Sequence, residues 1–152
     1  VPIVSDSVET RAVARIAMET ATVLPAFYRK GSVSTGVTIG AMEAAARDNA
    51  IDVRATLTRN GNAAFLGVAH LVVRDAAGAA VAEADRQIAI YKTMRPRWSV
   101  AVPDAALLRG GWVEITLSTD RHDVPRNLLL QAAAVSASIP ISIEEAQPPD
   151  PL

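Results

Sequence analysis

Cysteine is absent from the 152 residues. Disulfides and thiolate metal sites are thereby excluded, and no redox compartment can be inferred from cysteine usage. Aromatic residues make up only 4%, so a core has to be built from Ala, Val, Leu and Ile. Half of the residues are apolar, enough to fill one domain of ordinary size. Neither sign of charge is in excess: the formal net charge is -1, and the cations, mostly Arg, are spread along the chain. The electrostatic footprint of a nucleic-acid or anionic-lipid binder is therefore missing. No apolar run approaches the roughly 18–20 residues needed to span a bilayer as a helix. No Gly-x-Ser-x-Gly, glycine-rich phosphate loop or His-Glu-x-x-His occurs, so a nucleophile, its base and oxyanion donors cannot be assembled from motifs. An enzyme is not expected, nor a cofactor. No signal peptide is visible, and a chain opening on Val1 reads as a processed or trimmed product that could have lost an export signal.

What is present is a succession of strand and turn signals from about residue 37 onward. In "IDVRATLT", residues 51–58, Ile51, Val53, Ala55 and Leu57 alternate with Asp52, Arg54, Thr56 and Thr58. That period of two puts the apolar set on one face of a strand. Asn60-Gly61 follows and predicts a tight hairpin, because both central residues of a type I′ turn need positive φ. "AAFLGVAHLVVRD", residues 63–75, is apolar at nearly every position, as for a strand packed on both faces or at an interface. "DAAG" at 75–78 turns the chain into "AAVAEADRQIAIYK". Pro96 and Pro103 bracket "RWSVAV", and "RGG" at 109–111 precedes "WVEITLST", where Val113, Ile115 and Leu117 share a face. The apolar block Leu128–Ile143 is long for one strand, and Ser136, Ser138 and Pro140 predict a bend or an edge position. "AMEAAARD" at 41–48 has helix-forming composition but is short and uncapped, and is taken as an edge strand.

About seven strands at roughly 8–12 residue spacing, with polar turns between them, predict an all-β fold, an antiparallel immunoglobulin/fibronectin-like β-sandwich. Its expected limits are residues 31–144. Residues 1–30 form an extended arm and hinge that supply an extra N-terminal strand, and the proline-rich tail 145–152 is expected to be disordered.

Few side chains carry candidate chemistry. His70 lies in a strongly apolar strand and reads as a satisfied core or interface imidazole. "DRHD" gathers Asp120, His122 and Asp123 in one loop, where oxygen and imidazole donors could hold a metal weakly. No second cluster completes the coordination, and charged loops after strands are common. Glu114 and the "EAD" at 83–85 read as solvent-facing. Trp98 and Trp112 could form a sugar-stacking platform or cover the core. Trp98 shares parity with Val100 and Val102 and goes inside, whereas Trp112 shares that of Glu114 and Thr116 and is the more exposed of the two.

The arm does not fit this pattern. In residues 11–30, Ile16, Met18 and Leu24 fall on even positions, and Val23 and Phe27 on odd ones beyond Arg15 and Glu19. The facing of the strand therefore changes partway, which suits a segment packed first on one body and then on another. "ARIAMETATVLPAFYRKGSV" resembles the last strand of the N-terminal domain, plus the interdomain hinge, of the bacterial periplasmic pilus-assembly chaperones. Ile16-x-Met18 and Phe27-Tyr28-Arg29 carry the resemblance, which covers about twenty residues, with the sandwich after them matching by architecture. It implies a periplasmic or cell-envelope protein that adds an edge strand to an incomplete sheet of a client. Ile16, Met18, Leu24, Phe27 and Tyr28 would then be the partner-binding side chains, and the partner a pilin-like subunit, or a second copy in a homodimer formed by edge pairing. The basic residue that the family places in this strand has no counterpart here, where Thr22, Val23 and Leu24 stand, so no carboxylate anchor is assigned. The competing expectations are that residues 11–30 pair with the chain's own sandwich, or that the chain is a stand-alone envelope or adhesin module, structural or carbohydrate-binding.

Overall fold

The structure, a computed structural model, describes residues 19–22, 26 and 28–143. Among the described residues, eight strands make two antiparallel sheets: β1 (Thr35–Arg47), β2 (Ala50–Gly61), β3 (Phe65–Arg74), β4 (Ala80–Ile90), β5 (Thr93–Met94), β6 (Arg97–Ala101), β7 (Trp112–Ser118) and β8 (Val135–Pro140). In the first sheet β2 is central, with β1 on one side and β5 and β6 on the other. The second runs β4-β3-β7-β8. The chain crosses between layers after β2, β4 and β6, which is the layering of an immunoglobulin/fibronectin-like sandwich.

Alternation in the sequence becomes the core directly. Ile51, Val53 and Leu57 of β2 face Leu71 and Val73 of β3 and Val113, Ile115 and Leu117 of β7, all fully buried. Each such side chain contributes roughly 1.5–3 kcal/mol on burial. Trp98 and Val100 of β6 close one side of this core, as their parity required. Of the segment 41–48, residues 41–47 are the second half of β1, an edge strand, and Asp48 begins the turn. Its facing flips at Gly40-Ala41, where two residues oppose Thr56 as a bulge between Ile39 and Met42, so Val37 and Ala44 both point inward despite their odd spacing.

Two expectations change. β3 is not sandwiched on both faces. Its odd positions from Phe65 to Val73 are buried, and the even ones are half-buried apart from Val72. Asn60-Gly61 does not close a hairpin, because β2 and β3 belong to different sheets. Gly61, with φ 79°, instead begins the crossover, and a side chain there would meet the Ser34 carbonyl at 2.4 Å. The tight hairpins are Asp48-Asn49 between β1 and β2, and Asp75–Ala79 between β3 and β4. In the latter, Asp75 accepts from the Ala77 and Ala79 amides.

Close packing depends on a missing side chain at Gly67. A Cβ there would lie 2.2 Å from the Ser118 carbonyl and 2.6 Å from the Phe65 ring. Gly67→Ala is therefore expected to cost about 1–3 kcal/mol, the range for overpacking. Gly36→Ala, where the nearest atom is 3.5 Å away, should change stability by less than about 1 kcal/mol. Chemical denaturation of both variants checks the contrast, and equal losses would contradict it.

Candidate functional site

The point where the arm leaves the sandwich is built by Asn62. Its side-chain oxygen accepts from the Ser34 amide at 2.8 Å, and its amide nitrogen donates to the Ser32 carbonyl at 2.9 Å. The Ser34 carbonyl accepts from the Asn62 and Ala63 amides. The Asn60-Gly61-Asn62 turn thus pins the start of β1 to the β2–β3 crossover, at one end of the sandwich. Just before it, the Arg29 guanidinium donates to the Leu128 carbonyl. Tyr28, Arg29, Lys30, Asn62, Leu66 and Tyr91 line a cleft of about 480 Å³ at this end. Tyr28 is 88% exposed and Tyr91 67%, an unusual display of aromatic surface in a chain with so little of it.

Of the five partner-binding residues expected from the sequence, Ile16, Met18, Leu24 and Phe27 lie outside the described residues. Tyr28 is described and stands in the cleft. Glu19, Thr20, Ala21 and Thr22 are exposed and belong to no strand, as do Tyr28, Arg29 and Lys30. Tyr91 and Asn62 were not singled out by sequence reasoning. Asn62 is the second asparagine of Asn-Gly-Asn, whose first two residues absorbed the hairpin reading.

A second polar constellation crosses the outer face of the β4-β3-β7-β8 sheet. His70 stands opposite Asp85 on one side and Thr116 on the other, and Thr116 stands opposite Ser136. His70 Nδ1 donates to Asp85 Oδ1 at 2.6 Å, and the Thr116 and Ser136 hydroxyls are 2.9 Å apart. The His70 side chain is 42% exposed, so of the core or interface imidazole that its apolar neighbours predicted, the core alternative is not the one observed. On the even, outward parity of β3 it meets a carboxylate supplied by β4.

The 120–123 loop lies nearby. Its carboxylates are committed to arginines: Arg121 grips Asp123 through Nε at 2.8 Å and through a second guanidinium nitrogen, and Arg126 stands 4.0 Å from Asp120. The Arg121 hydrogen bond holds the Asp123 carboxyl below its ordinary range and raises Arg121 in turn. Among the described residues, no group of three His, Cys, Asp or Glu side chains is placed to hold a metal. Trp98 is buried in the core. Trp112 is half-buried beside Gly78 and lines a shallow groove with Gly110, Gly111 and Pro140.

Among the described residues, no helix is long and apolar enough to cross a membrane. Neither a protein-family model nor a curated protein sequence matches the chain.

On the outer face of the other sheet, Asp52 is held between Arg97 at 2.5 Å and Arg47 at 3.3 Å, with 14% of its side chain exposed. The Arg97 hydrogen bond is the main reason that its carboxyl sits below the usual 3.8. A carboxyl lowered by folding stabilises the fold above its unfolded pKa, and that stabilisation is lost as pH falls through the folded value. Asp52→Asn should therefore lower the thermal transition at pH 7 and flatten its decline below about pH 4. Identical acid limbs for parent and variant would contradict the pairing.

Proposed function

We propose that the chain is a non-enzymatic binding and assembly protein of a bacterial cell envelope, similar to a pilus-type periplasmic chaperone. Its residues 11–30 would donate a strand to a partner's sheet. One observation carries the reading: both sheets are filled from Thr35 onward, while the described arm residues Glu19–Thr22 and Tyr28–Lys30 are exposed and join neither. The buried cluster is built by residues between Val37 and Ile141. An apolar strand edge left unpaired is an aggregation hazard unless a partner takes it. In strand donation the main-chain hydrogen bonds supply affinity, and alternate side chains, here Ile16 and Met18, fill the partner's pockets. The cleft at the arm's root, with Tyr28 and Tyr91 exposed, supplies surface for the body of the same partner.

A second reading, a stand-alone envelope or adhesin module that binds carbohydrate, is favoured by half-exposed Trp112 and the groove beside it. Glycan retention that disappears in Trp112→Ala would favour it, and a parent chain retaining no glycan removes it.

The strand-donation reading expects Ile16→Asp and Met18→Asp each to abolish association with a pilin-like client while shifting the thermal transition by less than about 2 °C, since a surface substitution changes stability by about 0.5 kcal/mol or less. Collapse of the fold in both variants would make the arm an internal strand and overturn the proposal.

A further inference from the structure

A sheet edge needs a reason not to pair with a neighbour, and three of the four edges here have one. β4 carries exposed Glu83, Asp85 and Arg86. β5 and β6 are short and separated by Pro96, with Arg95 and Arg97 around it. β1 is bent by its bulge, and its last third is covered: the Ala46 amide donates to the Ser142 carbonyl at 2.9 Å and the Ser142 amide to the Ala44 carbonyl at 2.8 Å. Short length, charge, proline and bulges are the usual devices against edge pairing. β8 has neither charge, proline nor bulge along Val135–Ile139, and no charged residue stands between Arg126 and Glu144.

The hydrogen-bond parity of β8 follows from one bond. The Ile141 amide donates to the Gly111 carbonyl at 3.0 Å, in register with the Trp112–Pro140 and Val113–Ile139 pairs. Residues 141, 139, 137 and 135 therefore exchange backbone bonds with β7, and the even residues turn theirs outward. Ser142 confirms this, since its outward groups are the ones β1 takes. The N–H and C=O of Ser136 and Ser138 point the same way, and among the described residues nothing pairs with them.

We infer that β8 is a self-association edge, and that its occupant is the β8 strand of a second copy of this chain, antiparallel across a two-fold axis through Ser136. That register sets Ser136 against Ser136 and Ala134 against Ser138. Every facing pair is uncharged, and those on the outer face are Ser or Ala, so no like charges oppose one another in the isologous contact. Pro140, which has no N–H, ends the ladder. On the inner face Val135 comes opposite the second copy's Ala137, so half-buried residues of both chains are covered. The product is a continuous eight-stranded sheet. So short a seam makes a dimer that dissociates on dilution.

The test uses the full chain. Sedimentation equilibrium over a hundredfold concentration range should show a monomer passing to a dimer. Ser136→Lys, which sets two ammonium groups face to face on the axis, should hold the chain monomeric throughout while the thermal transition of the dilute monomer stays within about 2 °C, because Ser136 is a surface position. Ser136→Cys, the sole thiol in the chain, should oxidise to a covalent dimer, and Thr58→Cys on the other sheet should not. A parent that stays monomeric overturns the inference. So does a dimer that survives Ser136→Lys or is lost in Ile16→Asp instead, and so does oxidation of Thr58→Cys as fast as Ser136→Cys.

Discussion

Every backbone N–H and C=O in a β-sheet must find a partner or face water, and the molecule is organised by how that requirement is met at each strand edge. Inside the sandwich the ladders meet it: β2, β3 and β7 each have strands on both sides, and among the described residues no buried side-chain polar atom lacks a hydrogen bond. At the margins the solutions differ. β4 repels neighbours with charge, β1 bends and borrows Ser142, and β5 with β6 is broken by proline. Among the described residues, what remains is the plain edge of β8.

The same requirement explains why so little chemistry is concentrated anywhere. The polar side chains of the outer faces are spent on one another, Asp52 on two arginines, His70 on Asp85 and Asp123 on Arg121. These are cross-strand and within-loop pairs that steady a surface. The exposed aromatic surface is instead gathered at the end where the arm departs, beside Tyr28 and Tyr91. Recognition through backbone edges and a few apolar side chains suits such a distribution better than recognition through a polar pocket.

Much of the fold could be read in advance because burial in a two-layer sandwich imposes a period of two. Residues 51–58 and 112–118 announced both the strands and their inward faces, and Trp98 followed from the parity of Val100. Where the period was masked, the reading failed. In β3, apolar residues on both faces hid which side His70 takes, and only the register with β4 brings Asp85 to it. Asn60-Gly61 has the backbone freedom of a hairpin turn, but it serves a crossover, since a local turn signal does not say which sheet the next strand joins. The cleft residues come from the arm, the crossover and the turn after β4, three segments that no local pattern links.

The claim on which the functional reading rests is that the fold is whole without its first thirty residues. Amide hydrogen exchange on the full chain, held dilute enough to be monomeric, measures it most directly. Slow exchange confined to the strands from Thr35 onward, with the amides of residues 11–30 exchanging at the rate of an unstructured peptide, is the predicted result. Arm amides protected as strongly as those of β2 and β3 in the monomer would contradict it.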